Sequence, residues 1–201
     1  MWLDRVRELR ALGPVGHHTH WTSPEHARPL EGAETGERVL REAAWLRAHD
    51  IAATCFCGGG WFTDASVAAA CASLGYVDCT PLARRPARLE SGGNWAELAA
   101  PAIVETGAGP LLAIPTTHSL GELARLALRP QRIRDVVVHG YFHDTDLLDP
   151  RRRRALAVAL AVLGRRRTPG DLDTVAAAVR GTAAGMPFAD IVRGRASGRP
   201  E

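Results

Sequence analysis

The chain has 201 residues, 25 of them basic and 22 acidic, for a net charge of +3, and 46% of it is apolar. That length suits one large domain or two small ones, and buries about 70% of the unfolded surface without a disulfide staple. The composition excludes a wholly disordered chain, a collagen and a simple coiled coil, and the charge is too mild to imply nucleic acid or a membrane by itself. All 25 basic residues are Arg, which removes Schiff-base and lysine general-base chemistry. The four cysteines, Cys55, Cys57, Cys71 and Cys79, show neither a disulfide framework nor a C-x-x-C pair, and they read as buried thiols. No N-terminal run resembles a signal peptide, and the longest apolar run, residues 155–163, falls far short of the roughly 20 that span a bilayer. The expectation is a protein without a membrane span, cytoplasmic as written.

Taken in chain order, Leu3, Val6, Leu9 and Leu12 recur at helical spacing and predict a helix over 3–12, stopped by Gly13-Pro14. A short strand is expected over 15–18, then a polar loop over 21–34. Residues 37–48 form an amphipathic helix with Val39, Ala43 and Leu46 on one face. A strand over 51–57 runs into Gly58-Gly59-Gly60, followed by a helix over 65–74 and a strand over 76–80. Residues 81–109, rich in Arg, Gly and Pro, read as irregular, and a strand follows over 111–114. Ser119 and Glu122 have capping-box spacing before a helix to 128. A strong strand is expected over 136–142 and a helix over 151–163. Thr168 and Asp171 suggest a second capping box, with Pro169 at its first helical position, opening a helix to 179. Residues 1–192 read as a single domain, and 193–201 as a disordered tail.

Strand–helix alternation of this kind builds a mainly parallel sheet, open or closed into a barrel, whose chemistry collects at the carboxyl ends of the strands. The polar residues fall there. His17, His18 and His20 end the first strand, Gly58-Gly59-Gly60-Trp61 the second, and Asp78 and Thr80 the third. Thr116, Thr117 and His118 follow the fourth, and His143, Asp144 and Asp146 the last. In an extended segment residues i and i+2 share a face, so His18 and His20 can aim at one point, as ligands of a divalent ion or as ordinary polar residues. His143 beside carboxylates suits proton transfer near neutrality, whereas Asp146 to Asp149 read as helix caps. His139 reads as a core or supporting histidine. The glycine run lacks the phosphate-loop spacings and suits close backbone approach or a tight turn. Arg151 to Arg154 and Arg165 to Arg167 bracket an Ala/Leu helix. They read as a solvated rim, with an anionic surface partner as the lesser option and no nucleic acid, since aromatic interleaving is missing.

In this order the segments resemble the polysaccharide deacetylase (NodB-homology) family. Gly16-His17-His18-Thr19-His20-Trp21 resembles its second motif. Phe56 to Trp61, with Asp64 and Leu74-Gly75-Tyr76-Val77-Asp78-Cys79-Thr80, resembles the third. Leu112 to Thr117 is similar to its strand ending in Pro and hydroxyl residues, and Val138 to Asp144 resembles the fifth. The likeness covers about residues 14 to 164. It implies an α/β fold, a distorted parallel (β/α)7 barrel incomplete at the N-terminus. It also implies removal of N-acetyl groups from a carbohydrate, with a divalent metal, usually zinc. His18 and His20 would be metal ligands and His143 the general acid, with Gly59, Gly60, Trp61, Asp78 and Thr116 against the substrate. The chain departs from the pattern twice. The strand ending in two aspartates is missing, and Cys57 stands where the third motif usually has Arg. A catalytically inactive metal- or glycan-binding relative is therefore the alternative, and a hydrolase using Cys57 or Asp78 a third possibility.

Overall fold

The structure, a computed structural model, describes residues 2–22, 28–30, 34–84 and 94–193. Parts of the two loops expected over 21–34 and 81–109, and the tail after 193, lie outside these residues. In chain order the elements are α1 (Trp2–Arg10), β1 (Gly16–Thr19), α2 (Thr35–Ala48), β2 (Cys55–Gly58), α3 (Ala65–Leu74), β3 (Val77–Asp78), β4 (Trp95–Ala96), β5 (Ala102–Thr106), β6 (Gly109–Ala113), β7 (His118–Ser119), α4 (Leu120–Ala127), β8 (Gly140–Tyr141), α5 (Asp144–Leu148), α6 (Pro150–Leu163), α7 (Leu172–Arg180), β9 (Ala184–Pro187), α8 (Phe188–Ile191) and β10 (Val192–Arg193). They fall into two compact units, Met1–Pro115 with Asp171–Glu201, and Thr116–Gly170.

The first unit is built on a six-stranded sheet in the order β1-β2-β3-β6-β5-β9. Four of its five pairings are parallel. The class is thus mixed α/β with a mostly parallel sheet, as the alternation predicts. Parallel neighbours need a crossover, and α2 and α3 supply it between β1, β2 and β3. The helix α3 is set by its ends. Asp64 caps it by accepting the Val67 N–H at 2.8 Å, and Gly75 closes it at φ +70°. Val39, Ala43, Phe56, Val67, Ala68 and Cys71 fill the space between these helices and the sheet.

The sheet departs from the sequence reading in two places, one being its edge strand β9 (Ala184–Pro187), where the sequence predicts no strand. Residues 102–113, partly within the segment expected to be irregular, form the antiparallel hairpin β5–β6 around Gly107-Ala108. Gly109 takes φ +114°, and the Thr106 hydroxyl donates to the Gly109 carbonyl at 2.7 Å while accepting from the Ala108 N–H. A left-handed residue and a side-chain clasp set this turn, whereas hydrophobic alternation is weak across Gly-Ala-Gly-Pro.

The alternation of β1 gives its two faces different work. His17 and Thr19 are buried, and His18 is exposed. Glu42 of α2 meets the buried pair. His17 Nε2 lies 3.1 Å from its carboxylate, the Thr19 hydroxyl donates at 2.7 Å, and Arg38 Nε donates at 2.8 Å. Burial works against ionisation of Glu42, but the bonds from His17, Arg38 and Thr19 outweigh it and hold its pKa down to about 2. This pins α2 to β1 above about pH 4.5, and the contribution is lost as pH falls toward 2.

In the second unit α4 packs on α6 through Leu120, Leu123, Leu156, Ala159 and Leu163. The Ser119–Glu122 capping box forms as its spacing predicts. The strand expected over 136–142 does not. Only Gly140–Tyr141 pairs, with β7, and Val136 is 66% exposed. Three valines favour a strand only where a sheet neighbour covers them. In the first unit, α7 is capped by Asp171, which accepts the Thr174 N–H at 2.8 Å, so the box read from Thr168 starts three residues too early.

Helices α2 and α3 approach closely at Gly36. A Cβ there would lie 2.2 Å from Ser66 Oγ and 2.6 Å from the Ser66 carbonyl oxygen. Gly36→Ala should therefore destabilise the chain by about 2 kcal/mol, since backbone cannot step aside as a side chain can. Exposed Glu37→Ala should stay within about 0.5 kcal/mol. Paired thermal melts check this, and equal midpoints would contradict the close approach.

Candidate functional site

The carboxyl ends of β1, β2 and β3 share one edge of the sheet, because these strands run parallel. His18 leaves β1 on its exposed face, and its Nδ1 lies 2.7 Å from the Cys57 carbonyl oxygen. A carbonyl only accepts, so Nδ1–H donates, and in the neutral ring the lone pair sits on Nε2. His20 Nε2 lies 3.0 Å from that nitrogen, with ring centroids 4.8 Å apart. The i, i+2 reading thus places these two imidazoles together. The third histidine of the run, His17, is committed to Glu42 on the other face, edge-on to Phe56 and Tyr76.

Beside the pair runs the turn that follows β2. Thr19 registers with Gly58, and Gly59, Gly60 and Trp61 form one 3-10 turn. Gly58 is a glycine for packing: a Cβ there would meet the Phe62 carbonyl oxygen at 2.1 Å. Gly60 and Trp61 both adopt positive φ, +59° and +60°. The left-handed region is costly for a tryptophan, so the surroundings hold it there. Arg28 Nε donates to the Gly60 carbonyl at 3.0 Å, and Trp21 packs on Phe62 at 5.1 Å.

Asp78 is buried at the end of β3. Its Oδ1 accepts the Thr80 N–H at 2.9 Å, and the Thr80 hydroxyl, also bonded to Asp78, accepts the Gly58 N–H at 2.9 Å. A single residue thus links the buried carboxyl to the glycine turn. Burial raises Asp78 to about 6, and the Thr80 bonds only partly offset it. The same burial, with Asp78 and Cys55 nearby, pushes the Cys57 thiol up to about 12, and Cys71 is raised for the first two of these reasons. Cys57 is therefore a protonated thiol and a poor nucleophile at neutral pH.

Of the expected site residues, His18, His20, Gly59, Gly60, Trp61 and Asp78 belong to the first unit and are joined by the contacts above. Thr116 and His143 belong to the second unit. Thr116 is buried there, and His143 is exposed ahead of α5. The His143 N–H donates to Asp146 at 3.0 Å. That bond, then Arg152, lowers the Asp146 pKa. Asp149 caps α6 by accepting the Arg151 N–H at 2.8 Å, so these aspartates serve as caps and ion-pair partners. Sequence reading missed Thr80 as the connector and Glu42 as the partner of His17. Glu42 carried a signal, being on the face of the helix next to Val39 and Ala43, yet charged.

The pair fits a divalent ion in its donor chemistry. Two imidazole nitrogens on one tetrahedral ion stand about 3.3 Å apart, near the observed spacing, and a carbonyl fixing the remote nitrogen of a ligand histidine is the usual supporting arrangement. Among the described residues no group of three or more His, Cys, Asp or Glu side chains is placed to hold a metal.

Asp78→Asn keeps the acceptor for Thr80 and removes the ionisation. Because folding raises this carboxyl from 3.8 to about 6, the wild type loses stability as pH climbs through that window. Urea unfolding should give similar stabilities near pH 4 and a more stable variant near pH 7.5, by up to about 3 kcal/mol. A gap independent of pH would contradict the raised carboxyl. No family model, no curated protein and no solved structure matches the chain.

Proposed function

We propose that the chain is a metal-dependent hydrolase of a carbon–nitrogen amide bond, removing N-acetyl groups from a carbohydrate on a deacetylase-like barrel. The observation that carries this reading is the His18–His20 pair, with its nitrogens 3.0 Å apart and the His18 ring oriented by the Cys57 carbonyl. His18 and His20 would hold the ion through Nε2. When bound, a divalent ion, zinc by the resemblance, polarises an amide carbonyl and lowers the pKa of its water. The chain's own residues supply the frame. The Cys57 carbonyl keeps the His18 proton on Nδ1. Thr80 ties the glycine turn to Asp78, and the Arg28 side chain, bonded to the Gly60 carbonyl, would meet a sugar at the exposed face of that turn.

A second reading, a site that holds metal or glycan without hydrolysis, is favoured by Asp78. Its carboxyl is buried and engaged with Thr80.

Calorimetric titration of the full chain with zinc should show one site, weakened at least about tenfold by His18→Ala and by His20→Ala. Acetate release from N-acetylated amino-sugar oligomers, abolished by a chelator, should accompany binding. Binding without acetate supports the second reading, and absence of zinc binding defeats the hydrolase and the metal-holding form of the second reading.

A further inference from the structure

We propose that α6 of the second unit is a peripheral docking surface for an anionic phospholipid bilayer. Its role is independent of the histidine site.

The argument starts from charge. The unit Thr116–Gly170 carries eleven Arg against five acidic residues, a net +6, whereas the rest of the chain carries −3. Seven of the eleven bracket α6, as Arg151 to Arg154 at its start and Arg165 to Arg167 just past its end. The helix uses one side for packing: Leu156, Ala159 and Leu163 are buried. At about 100° per residue Arg152 falls on that same side, and it pairs there with Asp146 and Asp149. Arg151, Arg153 and Arg154 fall on the opposite half and make no ion pair among the described residues. Three cations at the positive end of a helix repel one another and the helix dipole. Such an arrangement is stabilised by an external anion.

The rest of that exposed half says which anion. Between the two Arg clusters the exposed surface holds no charge: Ala157 and Ala161 run along its middle, with Val158, 53% exposed, on one flank and Leu160, 59% exposed, on the other. An apolar strip with Arg at both ends is complementary to a bilayer surface, where the strip enters the acyl boundary and the guanidiniums reach the phosphates. A nucleic-acid backbone would meet the Arg but leave the strip unused. No helix among the described residues is long and apolar enough to cross a membrane, so the contact is with the surface.

The test is co-sedimentation of the full chain with vesicles of phosphatidylcholine, with or without about 30% phosphatidylglycerol, at about 0.1 M salt. Binding should need the anionic lipid and weaken as salt rises. Arg151→Gln, Arg153→Gln and Arg154→Gln together should lower the partition constant roughly a hundredfold, at about fivefold per Arg. Val158→Asp with Leu160→Asp should also lower it, with unchanged circular-dichroism melts. In Leu160→Trp, brominated lipid should quench emission beyond the wild-type level. No preference for anionic vesicles, wild-type binding by the triple Arg variant, or unquenched emission would overturn the proposal. So would tighter binding to duplex DNA with the aspartate variant unaffected.

Discussion

Everything at the sheet edge depends on the parallel pairing of β1 with β2 and on the pleat it imposes. Once His18 registers with Cys57, the neighbours of His18 are fixed. His17 and Thr19 must point toward α2, and His18 and His20 away from it. A slip of one residue would turn His18 and His20 toward Glu42 and expose the polar network. Glu42 guards the alignment, because His17 and Thr19 reach its carboxylate only as observed, while Arg38 on the same helix supplies a third donor whatever the strand does.

Two carboxyls near the same sheet meet opposite fates for one physical reason. Glu42 has three donors, one of them a guanidinium, and stays ionised. Asp78 has only Thr80 and is driven toward its neutral form. Desolvation opposes charge in both. The number and charge of the partners decide which group keeps it. Thr80 matters beyond its own carboxyl, since its hydroxyl also holds Gly58, whose backbone crowding leaves no room for any other residue.

Much of this arrangement was legible in the residues. Period-2 reasoning on His18 and His20 needs only strand geometry, and Ser119 with Glu122 announces a helix start by local bonding alone. What escaped depends on neighbours distant in sequence. Val136 to Val138 form no strand because they have no sheet to join, as the 66% exposure of Val136 shows. The β5–β6 hairpin hid among glycines because backbone angles, not side-chain alternation, turn it. That Asp78 is a shifted carboxyl is a consequence of burial, which a residue letter does not carry. The α/β class followed from alternation. Whether the sheet closes into a barrel is a matter of pairings that alternation does not determine, and among the described residues β1 and β9 each have one sheet neighbour.

The short reversal at Gly107-Ala108 also orders events in time. It joins β5 to β6 across two residues, so this pairing carries almost no loop-closure entropy and can form within microseconds. Joining β1 to β2 requires a whole helix and its loops to be spanned first. The hairpin can therefore nucleate the sheet, whereas the β1–β2 pairing that sets the surroundings of His18 closes a longer span of chain.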